Sequence, residues 1–149
     1  LHSACWFGEA FRSIHCDCDT QIAETMRKIK THGNGVIIYS YKKEGRGIGL
    51  EKKIRTMEIQ RIEKCDTVDA FKKLGLKKAD YRTYKTEIKA LRELKVSKKI
   101  IAFHANPDKI KVLKEAGYKI KKILKFNEKN LSKLAKAEIQ TKRKRMGYI

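Results

Sequence analysis

Three cysteines within the first eighteen residues constrain this chain more than any other feature: Cys5, ten intervening residues, Cys16, one residue, and Cys18. Cys16 and Cys18 are too close to pair comfortably with each other, and a Cys5–Cys16 bridge would strand Cys18. Three soft sulfur ligands with no fourth protein ligand nearby are how a catalytic zinc site keeps one coordination position open for water, whereas a structural site is closed by a fourth Cys or His. The alternative is three metal-free thiols, buried or reactive. Zinc is the better account of the spacing. Trp6 and Phe7, next to Cys5, are expected to pack under the metal loop.

The rest of the composition bounds the fold. A chain of 149 residues, 41% hydrophobic and 36% charged, can bury one real core. No apolar run approaches the roughly 18 residues that a membrane span needs, and the start lacks a basic-then-apolar signal layout. Four cysteines, one of them the outlying Cys65, do not make a secreted disulfide framework. A cytoplasmic location is therefore expected. Leu1 already lies in an apolar stretch with no initiating Met, so an N-terminal portion is expected to precede it. The net charge of +20 suits a phosphorylated substrate or a nucleic acid. The lysines are scattered, however, and no recognition helix or stacking motif accompanies them, so a nucleic-acid partner is not expected.

Taken in order, residues 1–7 predict a short strand, Gly8 a turn, and 9–15 a returning strand. A helix follows over 20–32 with Gly33 as its stop, then a buried apolar strand over 35–41. Glycines at 45, 47 and 49 predict a loop whose backbone N–H groups face an anion, with Arg46 as a phosphate clamp. Helices are predicted over 50–63, 67–74, 84–94 and 107–116. Strands are predicted over 99–103 and 118–124, and a basic helical tail from Asn127. This alternation reads as an α/β fold, one domain over residues 1–149 with a mixed sheet and flanking helices.

The strongest motifs are His2-Ser3-x-Cys5 with Cys16-Asp-Cys18, and Glu44-Gly-Arg-Gly-Ile-Gly-Leu50. Supporting ones are Asp66-Thr67-Val, Leu74-Gly75, Asp80-x-Arg82, Asn106-Pro107-x-Lys109, and Thr141-Lys142 with Met146-Gly147. In their order and spacing the chain resembles GTP cyclohydrolase II, the zinc enzyme that opens riboflavin biosynthesis, over essentially its whole length. The resemblance implies that Cys5, Cys16 and Cys18 hold Zn²⁺ and that GTP loses formate from C8 and pyrophosphate, leaving a diaminopyrimidine ribosylamino phosphate. It places Asp80 as proton acceptor and Arg82 as nucleophile toward the α-phosphate. A guanidinium with a pKa above about 12 suits a charge clamp better. His2, Ser3, Gln21, Glu44, Gly45, Arg46, Thr67 and Lys109 fall on GTP-contacting positions. Glu44 would accept from the guanine N1–H and amino group, and Mg²⁺ would accompany the phosphates. The family's members are homodimers.

Several positions depart from the family pattern. Ala4 replaces a Glu, Asp19 a Gly, Met57 a Tyr that faces the guanine, and Thr83 an Asp, while Tyr81 fills the spacer between Asp80 and Arg82. His104-Ala105-Asn106 replaces Thr-Asn-Asn, and His104 is open to a substrate-contact or a structural role. Two alternatives follow. Loss of the Tyr hydroxyl would stop the reaction at a formamidopyrimidine nucleotide. A non-catalytic nucleotide- or nucleic-acid-binding module on the same scaffold would instead draw on the charge.

Overall fold

The computed structural model describes residues 1–104 and 106–149; Ala105 lies outside the described residues. Short parallel strands near the start and in the second half flank a run of consecutive helices. Strand β1 (His2–Ser3) is followed by a π-type turn at Trp6–Ala10, helix α1 (Cys18–His32) and strand β2 (Tyr39–Ser40). A 3-10 turn at Tyr41–Lys43 leads into the single turn α2 (Glu44–Gly47), then α3 (Leu50–Glu63), α4 (Thr67–Lys73) and α5 (Lys85–Glu93). Strand β3 (Lys99–Phe103), α6 (Pro107–Glu115), β4 (Lys119–Leu124) and α7 (Lys133–Met146) complete the order.

The helix boundaries follow local chemistry. Asp66 caps α4, its carboxylate accepting from the N–H groups of Val68 (2.9 Å) and Asp69 (3.0 Å). Asn106 caps α6 at the Asp108 N–H, 2.8 Å away, and Pro107 occupies the first helical position, where its missing N–H costs nothing. Ile88 and Leu91 lie one turn apart on α5 and meet Leu113 of α6 and Tyr118 just before β4. That cluster is the core, and each fully buried aliphatic side chain in it contributes about 1.5–3 kcal/mol.

Where a mixed sheet is expected, the described strands form two separate parallel pairs, β1 with β2 and β3 with β4. The predicted strand over 35–41 contracts to Tyr39–Ser40 because its partner β1 is only two residues long. Backbone bonds from His2 N–H to the Ile38 carbonyl (2.8 Å) and from Ala4 N–H to the Ser40 carbonyl (3.1 Å) extend the contact slightly. The predicted strand over 9–15 is absent. The chain after Cys5 winds into the π-type turn instead, with the Cys5 sulfur accepting from the Gly8 N–H at 3.3 Å. None of the described helices is long and apolar enough to cross a membrane.

Candidate metal and nucleotide site

The three cysteines predicted from spacing converge. Their Sγ atoms lie within 4.8 Å of one another, and Cys5 Sγ and Cys16 Sγ are 3.7 Å apart. With Zn–S bonds of about 2.3 Å, a tetrahedral edge is about 3.8 Å, so the donor set fits the ion. All four cysteines are free. Gly8 makes the approach possible, since a Cβ there would stand 2.8 Å from Cys16 Sγ. Cys18 is the first residue of α1, where unpaired backbone N–H groups favour negative charge. Without a cation the trio cannot ionise together. Hydrogen bonds from Cys16 and then Cys18 pull the Cys5 thiol far below its ordinary pKa, while those with Cys16 and then Cys5 push Cys18 well above it.

Two carboxylates brace the loop that carries Cys5. Glu9 accepts from the Cys5 N–H (2.9 Å), His2 Nε2 (2.8 Å) and the Tyr39 hydroxyl (2.7 Å). Glu44 is buried. Its Oε2 accepts from the Trp6 N–H at 2.6 Å, and its Oε1 from the Gly45 N–H (2.9 Å) and Lys53 Nζ (2.6 Å). Lys53 also donates to Cys5 Sγ at 3.1 Å. Burial pulls the Lys53 pKa down, but Glu44 and the Cys5 sulfur outweigh it and the net shift is upward.

These contacts bear on the roles expected of Glu44 and His2. A carboxylate offers about four lone-pair positions, and three of Glu44's are taken, so paired acceptance from a guanine edge is not available in this arrangement. His2 faces Glu9 and stacks on Tyr39 with ring centroids 5.5 Å apart; it does not line the cleft beside the cysteines. Trp6 is 53% exposed and does not pack under the loop, whereas Phe7 lines the cleft with Lys53 4.7 Å over its ring.

The glycine-rich turn works differently from an N–H cradle. The N–H groups of Gly45, Ile48 and Gly49 bond within the turn or to Glu44. Gly45 and Arg46 are both left-handed (φ 59° and 58°), a conformation that costs a non-glycine residue about 1–2 kcal/mol. Gly47, at φ 88°, lets the backbone pass the Tyr81–Arg82 peptide, where a Cβ would meet atoms at 3.0 and 3.1 Å. The Tyr81 N–H donates to the Arg46 carbonyl at 2.9 Å, docking the two arginine segments together.

Arg46 donates to the Thr67 hydroxyl and lies 4.1 Å over the Phe71 ring. Arg82 grips Asp80 through Nε (2.9 and 3.1 Å) and Nη2, and donates from Nη1 to the Ser3 hydroxyl at 3.3 Å. Burial alone would lower the Arg82 pKa, but the paired carboxylate of Asp80 holds it above its ordinary value. Asp80 stands behind Arg82 and does not line the cleft. Gln21 lines the cleft and donates to Asp17 at 2.7 Å.

Eight Lys and Arg side chains line this cleft against four Asp and Glu. Among the described residues, neither Arg46 nor Lys109 is ion-paired with a carboxylate. Lys109 is only 5% exposed. Burial first, and the charge of Arg82 second, push its pKa from 10.5 down to about 7. Between about pH 7 and 10.5 the unfolded chain therefore binds more protons at this site, and stability rises with pH across that window. Below about 7 both states are charged and the full burial cost is felt. Lys109→Met should accordingly raise the melting temperature by several degrees at pH 6, with the gain shrinking toward pH 10, and weaken inorganic triphosphate binding. Paired melting curves check this; a lower melting temperature at pH 6 would contradict it.

Met57 lines the same cleft as the cysteines, as do Ala4 and His104, both buried. Burial pushes the His104 pKa well down, and its Nδ1 has no partner among the described residues. Asp19 turns away to pair with Arg12 at 2.5 Å, and the Thr83 carbonyl accepts from Lys43. Sequence reasoning missed Glu9, Lys53 and Tyr148. The partners of Lys53 and Tyr148 lie up to 66 residues away, and Glu9 reaches Cys5 and His2 only because the chain after Cys5 winds into a turn.

The GTP cyclohydrolase II family model matches residues 1–125. A protein named GTP cyclohydrolase-2 from Haemophilus influenzae (strain PittEE) is 37% identical over 149 residues, covering 99% of this chain and 66% of its own length. One of the same name from Buchnera aphidicola subsp. Acyrthosiphon pisum is 38% identical over 153 residues, covering 100% of this chain and 74% of its own. The Riboflavin biosynthesis protein RibBA of Chlorobium phaeovibrioides is 36% identical across 100% of the chain, which corresponds to 35% of that protein. The chain thus spans just under two thirds of the Haemophilus relative.

Proposed function

The chain belongs to the GTP cyclohydrolase II family, and from that premise we propose that it is a zinc-dependent hydrolase opening the imidazole ring of GTP, with release of formate and pyrophosphate, in riboflavin biosynthesis. One observation carries the reading: the three-sulfur cluster opens onto the same cleft as Arg46, Arg82 and the buried, carboxylate-free Lys109. A soft-metal site beside a cationic wall in which Arg46 and Lys109 have no carboxylate partner among the described residues suits a substrate with one hydrolysable carbon and several phosphates.

Cys5, Cys16 and Cys18 would hold the zinc. Bound there, zinc supplies Lewis acidity and a source of hydroxide near neutral pH. Lys53 and Glu44 fix the Cys5 loop and soften its charge. Arg46, with Thr67 behind it, and Lys109 bind phosphate oxygens, and Ser3 and Gln21 border the same space. Arg82 clamps the charge that develops on the phosphate chain. Asp80 acts through Arg82, holding it protonated and oriented, which favours the clamp over a nucleophilic role. Mg²⁺ would arrive with the triphosphate, since among the described residues no cluster of three or more carboxylates gathers to hold it. We read residues 1–149 as one domain of a cytoplasmic homodimer; exposed Leu50 and Ile54 on α3 and Phe11 near the metal loop are apolar surface a second copy could cover.

Incubation of zinc-loaded protein with GTP and Mg²⁺, with mass-spectrometric identification of the products, tests the reading. Zinc-dependent consumption of GTP supports it; a zinc-loaded protein that leaves GTP intact sinks it. A second reading rests on Met57, which lines the cleft without a hydroxyl. The reaction then stops after the first hydrolysis, at a formamidopyrimidine nucleotide. The same spectra decide between the two, because stoichiometric free formate excludes the second.

A further inference from the structure

Helix α7 and the residues after it lie beyond the segment matched by the family model, yet they close one side of the cleft. Arg145 anchors the helix end to the start of α4, pairing with Asp66 at 2.6 Å and Asp69 at 2.7 Å. The sulfur of Met146 accepts from Arg46 at 3.1 Å. Gly147 then turns left-handed (φ 67°), with its N–H on the Lys142 carbonyl, and the chain doubles back. That reversal sets the Tyr148 hydroxyl between two donors, Arg82 Nη2 and Asn106 Nδ2, each 2.8 Å away. The orientation of the Asn106 amide is fixed independently, because its oxygen caps α6 at the Asp108 N–H.

A hydroxyl has two lone pairs and one proton. Both acceptor positions of Tyr148 are taken, so its O–H must donate, and among the described residues no acceptor takes it. Tyr148 lines the cleft together with Arg46, Arg82 and Lys109. The group that completes this hydroxyl is therefore one that brings acceptor oxygens to a cationic wall.

We infer that Tyr148 is a phosphate-binding residue of this cleft, delivered by the C-terminal segment, which straps Arg46 and Arg82 into one site for a polyphosphate chain. The inference rests on the reading of the cleft as a nucleoside triphosphate site and adds a recognition residue to it. Arg82 and Asn106 orient the hydroxyl, the phosphate accepts its proton, and Met146 keeps Arg46 in register beside it.

The test uses inorganic triphosphate as the probe, measured by calorimetry on intact protein, with guanosine as the control ligand. Tyr148→Phe should weaken triphosphate binding about tenfold, as loss of one hydrogen bond to a charged group does, and leave guanosine binding unchanged. Arg145→Gln, outside the cleft, should loosen the strap and weaken triphosphate binding in the same direction. Native-strength triphosphate binding by Tyr148→Phe overturns the inference. So does equal weakening for guanosine and triphosphate, or a native protein that binds no triphosphate. Triphosphate binding that depends on Tyr148 in a protein that does not turn over GTP would uphold the strap while removing the hydrolase reading.

Discussion

Cys16→Ser is expected to empty the metal site and lower turnover of GTP on the order of 10³-fold or more, while the protein stays folded. Serine replaces a soft thiolate with a hard hydroxyl that does not ionise at neutral pH, so a three-sulfur set becomes a two-sulfur one. Cys16 is the informative position because it is only partly buried. Cys5, by contrast, is buried, caps the π-type turn at Gly8 and accepts from Lys53, so its loss confounds metal binding with folding. Zinc content by elemental analysis, read beside circular dichroism, checks the expectation: about one zinc per native chain and almost none in the variant. Full zinc occupancy in Cys16→Ser would contradict the assigned ligand set.

Arg82→Lys is expected to cost roughly 10²–10³-fold in turnover, comparable to the loss of a single oxyanion donor, because no ammonium can reproduce the bonds this guanidinium makes. Arg82 holds Asp80 with two nitrogens, Ser3 with the third, and Tyr148 with a remaining Nη2 hydrogen. Lysine offers a point charge on a flexible stem and cannot span those partners. The same geometry bears on how the residue acts. Attack on a phosphate needs an unprotonated nitrogen, and the Asp80 carboxylate stabilises the protonated form. A clamp predicts that Arg82→Ala recovers part of its activity with added guanidinium, and that rapid quenching of the native enzyme traps no covalent nucleotidyl adduct. An adduct visible in the intact mass would reverse that assignment.

How much of this could be read without coordinates differs from residue to residue. The cysteine trio was legible because metal ligation imposes residue type and close spacing, and the helices from 50 to 115 were legible from caps such as Asp66 and Asn106 that act within three residues. The segment after Cys5 was not. A returning strand was expected after the Gly8 turn, but the Cys5 sulfur and Glu9 bind the backbone into a turn, and these local bonds override strand propensity there. Glu44 was legible as a site residue, but its bonds to Trp6, 38 residues away, and to Lys53 were not. Lys53 looks like any helical surface lysine until α3 is docked. Tyr148 gives no signal at all before the reversal at Gly147 brings it to Arg82.

The claim that joins these observations is that the cysteine cluster and the cationic cleft act on one substrate. Formate and pyrophosphate should be measured together, from GTP and Mg²⁺, in zinc-loaded, zinc-stripped and zinc-restored protein. The account predicts GTP consumption and pyrophosphate release that disappear on stripping and return with zinc, with formate alongside unless Met57 halts the reaction at the formamidopyrimidine. GTP consumed equally well without zinc, or left untouched by protein holding a full complement of it, would contradict the account.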